Sequence, residues 1–191
     1  MESTALNILS QDDIERIHLT ALQLLEEVGL ADAPPSGIDY LVGAGATLGD
    51  DGRVRIPRAV VEAALKMANR RVVLPSRDGA HDLDLSGARV HYGTAGAAVN
   101  MVDVDGRNYR DSTLQDLHDA ARICDVLDNI HFCQRPMVAR DILDNREMDL
   151  NTIYACTSGT TKHIGVSFSD PEYVADALQM LHMIAGGEDA W

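Results

Sequence analysis

Hydrophobic positions follow two different periods along this chain, and the change of period divides it. From Ser10 the run S-Q-D-D-I-E-R-I opens with a capping serine and puts Asp12 and Asp13 in a first turn, where the helix dipole favours negative charge. Ile14, Ile17, Leu22, Leu24, Leu25 and Val28 share a broad helical stripe, and Gly29 suits a left-handed stop, so the pattern predicts a helix over residues 11–28. Ala33 to Gly37, with Pro34 and Pro35, reads as a loop, and Ile38 to Gly43 as a short helix. Ala46–Leu48 and Arg53–Ile56 flank the turn residues Gly49-Asp50-Asp51-Gly52 and predict a hairpin. Pro57 then opens a helix over 58–68, at a position that needs no amide hydrogen. Residues 1–70 are thus expected to form a helical N-terminal module carrying a β-ribbon.

From Val72 the period shortens to two. Val72–Leu74, the alternating His81–Leu85 and Arg89–Tyr92 read as strands, the last running into Gly93-Thr94-Ala95-Gly96. Ala97–Val104 and Asn108–Arg110, joined at Asp105-Gly106, predict a hairpin leading into a helix capped by Ser112 or Thr113. Beyond it the pattern alternates: helix 113–127, strand 130–139, helix 145–157, strand 163–168, helix 171–185. Strands separated by helices imply a parallel sheet, because parallel neighbours cannot be joined by a tight turn. Both strands carry polar residues ill suited to the middle of an open doubly wound sheet but suited to a barrel, whose chemistry sits at the C-terminal rim. The expected class is α/β: over 71–191, a partial (β/α)8 TIM-type barrel of about three βα units, where closure takes eight. The chain therefore reads as a portion of a longer enzyme.

Charge narrows the partners. Thirty acidic against sixteen basic residues give a net charge of −14, which repels nucleic acid and anionic lipid. The N-terminus lacks a basic region followed by an apolar one, and no stretch approaches the ~18 apolar residues of a membrane span. A cytoplasmic protein is expected. Cys124, Cys133 and Cys156, odd in number and each within a predicted helix or strand, read as reduced core residues.

No phosphate-binding glycine loop is present, and Gly93-Thr94-Ala95-Gly96 lacks the third glycine of a dinucleotide fingerprint. The seven histidines include no H-x-x-x-H on a predicted helix and no nearby cysteine pair, so no metal site is expected. The corrinoid-anchoring pattern D-x-H-x-x-G is also missing, since Asp116-Leu117-His118 continues without the glycine. Rim candidates are Tyr92 and Thr94 after one strand, Gln134 and Arg135 in the next, and Phe168 at the end of the third. Each has a purely structural alternative: Tyr92 as a strand aromatic, Gln134 and Arg135 as members of a buried hydrogen-bond network. Ser167, Ser169 and Asp170 are read as caps for the helix that Pro171 opens.

Three stretches carry a resemblance: G-A-x-x-x-D-D-G-R-V-R-I-P-R-A-V-V-E-A-A-L at 45–65, R-V-H-Y-G-T-A-G at 89–96, and S-T-L-Q-D-L-H-D-A-A-R-I-C-D-V-L-D-N-I-H-F at 112–132. With T-K-H-I-G-V-S at 161–167, they resemble the trimethylamine methyltransferase family in order along the chain. That resemblance implies a (β/α)8 barrel passing a methyl group from a tertiary or quaternary amine, such as trimethylamine or glycine betaine, to cobalamin on a separate corrinoid protein. It implies no cofactor bound by this chain, and partners comprising the corrinoid protein, a small amine and either the remainder of the barrel or further copies. Tyr92, Thr94, Gln134, Arg135 and Phe168 would then bind substrate, with catalytic residues unassigned. The competing expectation is a non-catalytic module that oligomerises or binds an amine without turnover.

Overall fold

The computed structural model describes residues 8–188 and divides the chain into two compact units, with the boundary between Asn69 and Arg70. In the first unit, the Ser10 hydroxyl accepts the Asp13 amide at 3.1 Å while the Asp13 carboxylate accepts the Ser10 amide at 3.2 Å, a reciprocal cap that starts helix α1 (Gln11–Gln23). The α-helix does not continue to residue 28 as the stripe predicts. Leu24–Val28 widens into a π-helical turn closed by the Gly29 amide on the Leu24 carbonyl. The hairpin holds this end of the helix, because Arg53 and Arg55 donate to the otherwise unpaired carbonyls of Val28 and Glu27 at 2.7 and 3.1 Å. Gly29 has φ 72°, and a Cβ there would lie 2.4 Å from the Val54 carbonyl oxygen, so only glycine lets the chain pass this closely.

Helix α2 (Pro35–Gly43), strands β1 (Thr47–Leu48) and β2 (Val54–Arg55) and helix α3 (Arg58–Met67) complete the unit. The two strands pair antiparallel. Ala46, Val54 and Ile56 form the buried centre, with Leu25, Ile38, Leu41, Val60 and Val61 packed around them.

The second unit begins with two antiparallel hairpins: β3 (Val73–Leu74) with β4 (Leu83–Asp84), and β5 (Asn100–Val102) with β6 (Tyr109–Asp111). Then come α4 (Leu114–Val126), β7 (Phe132–Gln134), α5 (Asn145–Gly159), β8 (His163–Gly165), a 3-10 turn (Pro171–Tyr173) and α6 (Val174–Ala185). Of the two expected caps for α4, Thr113 serves: its hydroxyl accepts the Asp116 amide. Strands β7 and β8 are parallel neighbours, Phe132 opposite His163 and Gln134 opposite Gly165. On the other side of β7 the segment 93–98 also runs parallel, through bridges Gly93–Phe132 and Ala98–Met137. Three parallel segments thus alternate with α4 and α5. The regular strands are shorter than the patterns predict, and among the described residues no closed barrel forms. Pro136, just past β7, has no amide to donate to the segment 93–98 beside it, although its carbonyl accepts the Ala98 amide at 3.1 Å.

Helices α4 and α5 pack closely: a Cβ on Gly159 would lie 2.6 Å from the Ala121 Cβ. Leu117, Met137, Ala155 and Cys156 form one buried cluster, and Ala121, Cys124 and Cys133 another, with Ile164 against both. No described helix is long and apolar enough to cross a membrane.

Candidate functional site on the helix-free face

Side chains alternate across a strand, so β7 and β8 each present two faces. Cys133 and Ile164 point into the helix layer, where they meet Ala121 and Cys124 of α4. Phe132, Gln134, His163 and Gly165 therefore share the opposite face, which neither α4 nor α5 covers. Gln134 is exposed there, and its side-chain amide has no hydrogen-bond partner among the described residues. Gly93 joins this face: the Phe132 ring fills the space where its side chain would be, with ring carbons 2.3 Å from an added Cβ.

At the starting ends of the strands the face is closed off by the β3–β4 hairpin. The His163 Nδ1 lies 3.0 Å from the Pro75 carbonyl, and the Arg77 amide donates to the Thr161 carbonyl at 2.8 Å. A cleft of about 220 Å³ lies at this end, lined among others by His81, Asp82, His91, Asp128, His131 and Lys162. Among the described residues no three His, Cys, Asp or Glu side chains are arranged to hold a metal.

Tyr92 stands at this starting end, not at the C-terminal rim. Residues 89–92 form no ladder; pairing begins only where the His131 amide donates to the Tyr92 carbonyl at 2.6 Å and the Tyr92 amide donates to the His131 Nδ1 at 2.9 Å. Tyr92 opens the strand that it was expected to end; the residue is 64% exposed and its ring stacks on His131. Thr94 alternates onto the helix side, where its hydroxyl donates to the Gln134 carbonyl at 2.5 Å and lies 3.8 Å from the Cys133 sulfur. Gln134 and Arg135, both expected to bind substrate, take opposite faces by the same alternation, with Arg135 one residue past β7; the Arg135 charge is felt at Cys156 of α5. Phe168 lies three residues past β8, half-buried. Asp170 caps the turn after it by accepting the Glu172 amide at 2.9 Å, whereas Ser169 bonds to Asp149 instead.

Two of the buried polar groups have roles that sequence reasoning did not give them. Lys162, 4% exposed, donates from Nζ to the carbonyls of Cys124, Leu127 and Ile130 at 2.6–2.8 Å, satisfying the negative end of α4. Ser112, fully buried, donates to the Val138 carbonyl at 2.7 Å and joins segment 93–98 to the chain beyond β7. The only sequence signal for Lys162 is a cation at the edge of an apolar strand. The three cysteines are free and buried where α4, β7 and α5 meet. Hydrogen bonding from Cys156 lowers the Cys133 thiol to about 7 and raises Cys156 itself, while burial pushes Cys124 up to about 12.

A family model described as trimethylamine methyltransferase matches residues 1–191. The chain belongs to the trimethylamine methyltransferase family. It is 28% identical to the trimethylamine methyltransferase MttB of Desulfitobacterium hafniense strain DSM 10664 / DCB-2 over 196 aligned residues, covering 99% of this chain and 38% of that protein. It is 28% identical to MttB1 of Methanosarcina mazei, covering 85% of this chain and 34% of that protein. It is 24% identical to the glycine betaine methyltransferase of Desulfitobacterium hafniense strain Y51, covering 96% and 38% respectively. The chain thus spans little more than a third of these curated relatives.

Proposed function

We propose that this chain is part of a methyltransferase that moves a methyl group from a tertiary or quaternary amine to a corrinoid held by a separate protein, and that its three parallel segments are the first strands of a (β/α)8 barrel. The observation that carries the reading is the family match over residues 1–191, supported by the names of the relatives. The parallel order of segment 93–98, β7 and β8 around one helix-free face is what an opening portion of such a barrel would contain.

The residues present do not suit a corrinoid anchor. His118 sits in α4 with its Nδ1 3.9 Å from Asp119, and the Asp116 carboxylate nearby is already engaged by Arg110 and Thr113. A cobalt nucleophile on another protein would supply the methyl acceptor. What this chain contributes is orientation of the amine and exclusion of water, with no obligatory general base. Gln134, exposed on the helix-free face with its amide free, is suited to donate to a substrate carboxylate, and Phe168 to offer a ring face to a cationic nitrogen.

The test is methyl transfer by the purified full-length protein with a corrinoid protein and either trimethylamine or glycine betaine. Demethylation of one amine above the enzyme-free rate is expected; no transfer from either would refute the methyltransferase reading. Turnover by residues 1–191 alone would overturn the barrel-portion reading, since most of the pocket would then be unnecessary.

A further inference from the structure

The loop after β8 is held by a group that packing does not explain. Asp149, on α5, is 1% exposed. One of its carboxylate oxygens accepts the Ser169 amide at 2.6 Å and the other accepts the Ser169 hydroxyl at 3.2 Å. Among the described residues it has no cationic partner; Arg146, one turn earlier on α5, pairs with Asp176 of α6 at 2.7 Å instead. A carboxylate removed from water without a cation is costly, and a buried site needed only for packing is served as well by leucine or methionine. Its two acceptors are directed at a single residue, Ser169, four positions past the end of β8.

Topology gives that contact a place. Helix α5 begins after β7 has ended and runs back to the start of β8, so its opening turns lie at the C-terminal end of both strands. Ser169 is followed by Asp170, which caps the next turn. Ser167 and Phe168 are thereby bracketed between the parallel ladder, which ends at Gly165, and a residue fixed to a buried anion. We propose that Asp149 is a positioning residue that sets where Ser167 and Phe168 stand at the C-terminal rim. This rests on the reading above, in which that rim holds the amine, and it assigns Asp149 a role in substrate affinity without contact with substrate.

Two measurements decide it. In the wild-type protein, hydrogen exchange at the Ser169 amide reports the link directly and needs no activity: slow exchange is expected, and exchange at the free-peptide rate would overturn the proposal. In the full-length enzyme, Asp149→Leu removes the acceptors at similar volume, whereas Asp149→Asn keeps an oxygen for the amide. Asp149→Leu should raise KM for the amine about tenfold or more with kcat within about twofold, Asp149→Asn should stay within about threefold of wild type, and Phe168→Ala should raise KM in the wild type but add little to Asp149→Leu. An unchanged KM in Asp149→Leu, or equal losses of kcat in the Leu and Asn variants, would overturn it. If Asp149→Leu does not fold, Ser169→Pro, which removes the amide that donates to Asp149 at 2.6 Å, takes its place with the same KM readout, and an unchanged KM there would overturn the proposal. A wild-type enzyme that transfers no methyl group counts against the methyltransferase reading, while Ser169 exchange still decides the Asp149 link.

Discussion

Lys162 shows how much one residue can hold. Its three carbonyl partners lie at or just past the C-terminal end of α4, where a helix leaves its last carbonyls without amides. Lys162→Met keeps the length of the stem but leaves those carbonyls to water or to nothing. A loss of about 1–3 kcal/mol in urea unfolding is expected; a loss below about 0.5 kcal/mol would mean that the ammonium is dispensable. Asp116 gives a pH-dependent counterpart. The Arg110 guanidinium, bonded to it at 2.7 and 2.8 Å, holds its carboxyl well below the ordinary carboxylate range, assisted by Thr113. A group whose folded pKa is depressed stabilises the fold above its unfolded value, near 3.9, and loses that contribution as pH falls toward the lower folded value. The stability gap between wild type and Asp116→Asn should therefore be constant above about pH 5 and shrink toward pH 3. A gap independent of pH, followed by chemical denaturation, would remove the ion pair as its cause.

At the scale of elements, close approach decides more than propensity. Gly159 ends α5 where a Cβ would meet the Ala121 Cβ at 2.6 Å and the His118 carbonyl oxygen at 3.0 Å, backbone that cannot swing aside. Gly159→Ala should cost about 1–3 kcal/mol through overpacking, despite alanine's better helix propensity. Thermal unfolding checks the sign: stabilisation would mean that the two helices have room to separate. Gly93→Ala tests the other face, since the added methyl must displace the Phe132 ring. The helix patterns were largely legible because capping residues and apolar stripes are local: Ser10, Thr113 and Asp144 each accept an amide three residues on. Two hairpins and the last parallel pair were legible in order and direction, but the strands were not legible in extent. Whether residues 89–92 pair depends on what lies beside them, and no alternation pattern contains the neighbour.

At the scale of the whole molecule, the boundary between Asn69 and Arg70 separates two units with their own buried clusters. Arg70 and Arg71 are exposed. Limited trypsin digestion is expected to cut first at one of them and leave two protected fragments; first cuts inside either unit would show that the boundary is not the weakest point. By itself the sequence determined the class of elements, the alternation of helix and strand after Thr113, the parallel pairing of the last two strands and the family, because these follow from local periodicity and residue order. Only the tertiary structure decided where along each strand pairing begins, and so which end of the sheet each side chain occupies. That moved Tyr92 from the rim to the starting end and set Gln134 and Arg135 on opposite faces. It also brought Asp149 to Ser169 and Lys162 to the end of α4, contacts that span 20 and more residues and whose partners no local pattern names. The physical reason is that register and burial are set by partners distant in sequence, whereas helix caps and periodicities are set within a turn or two.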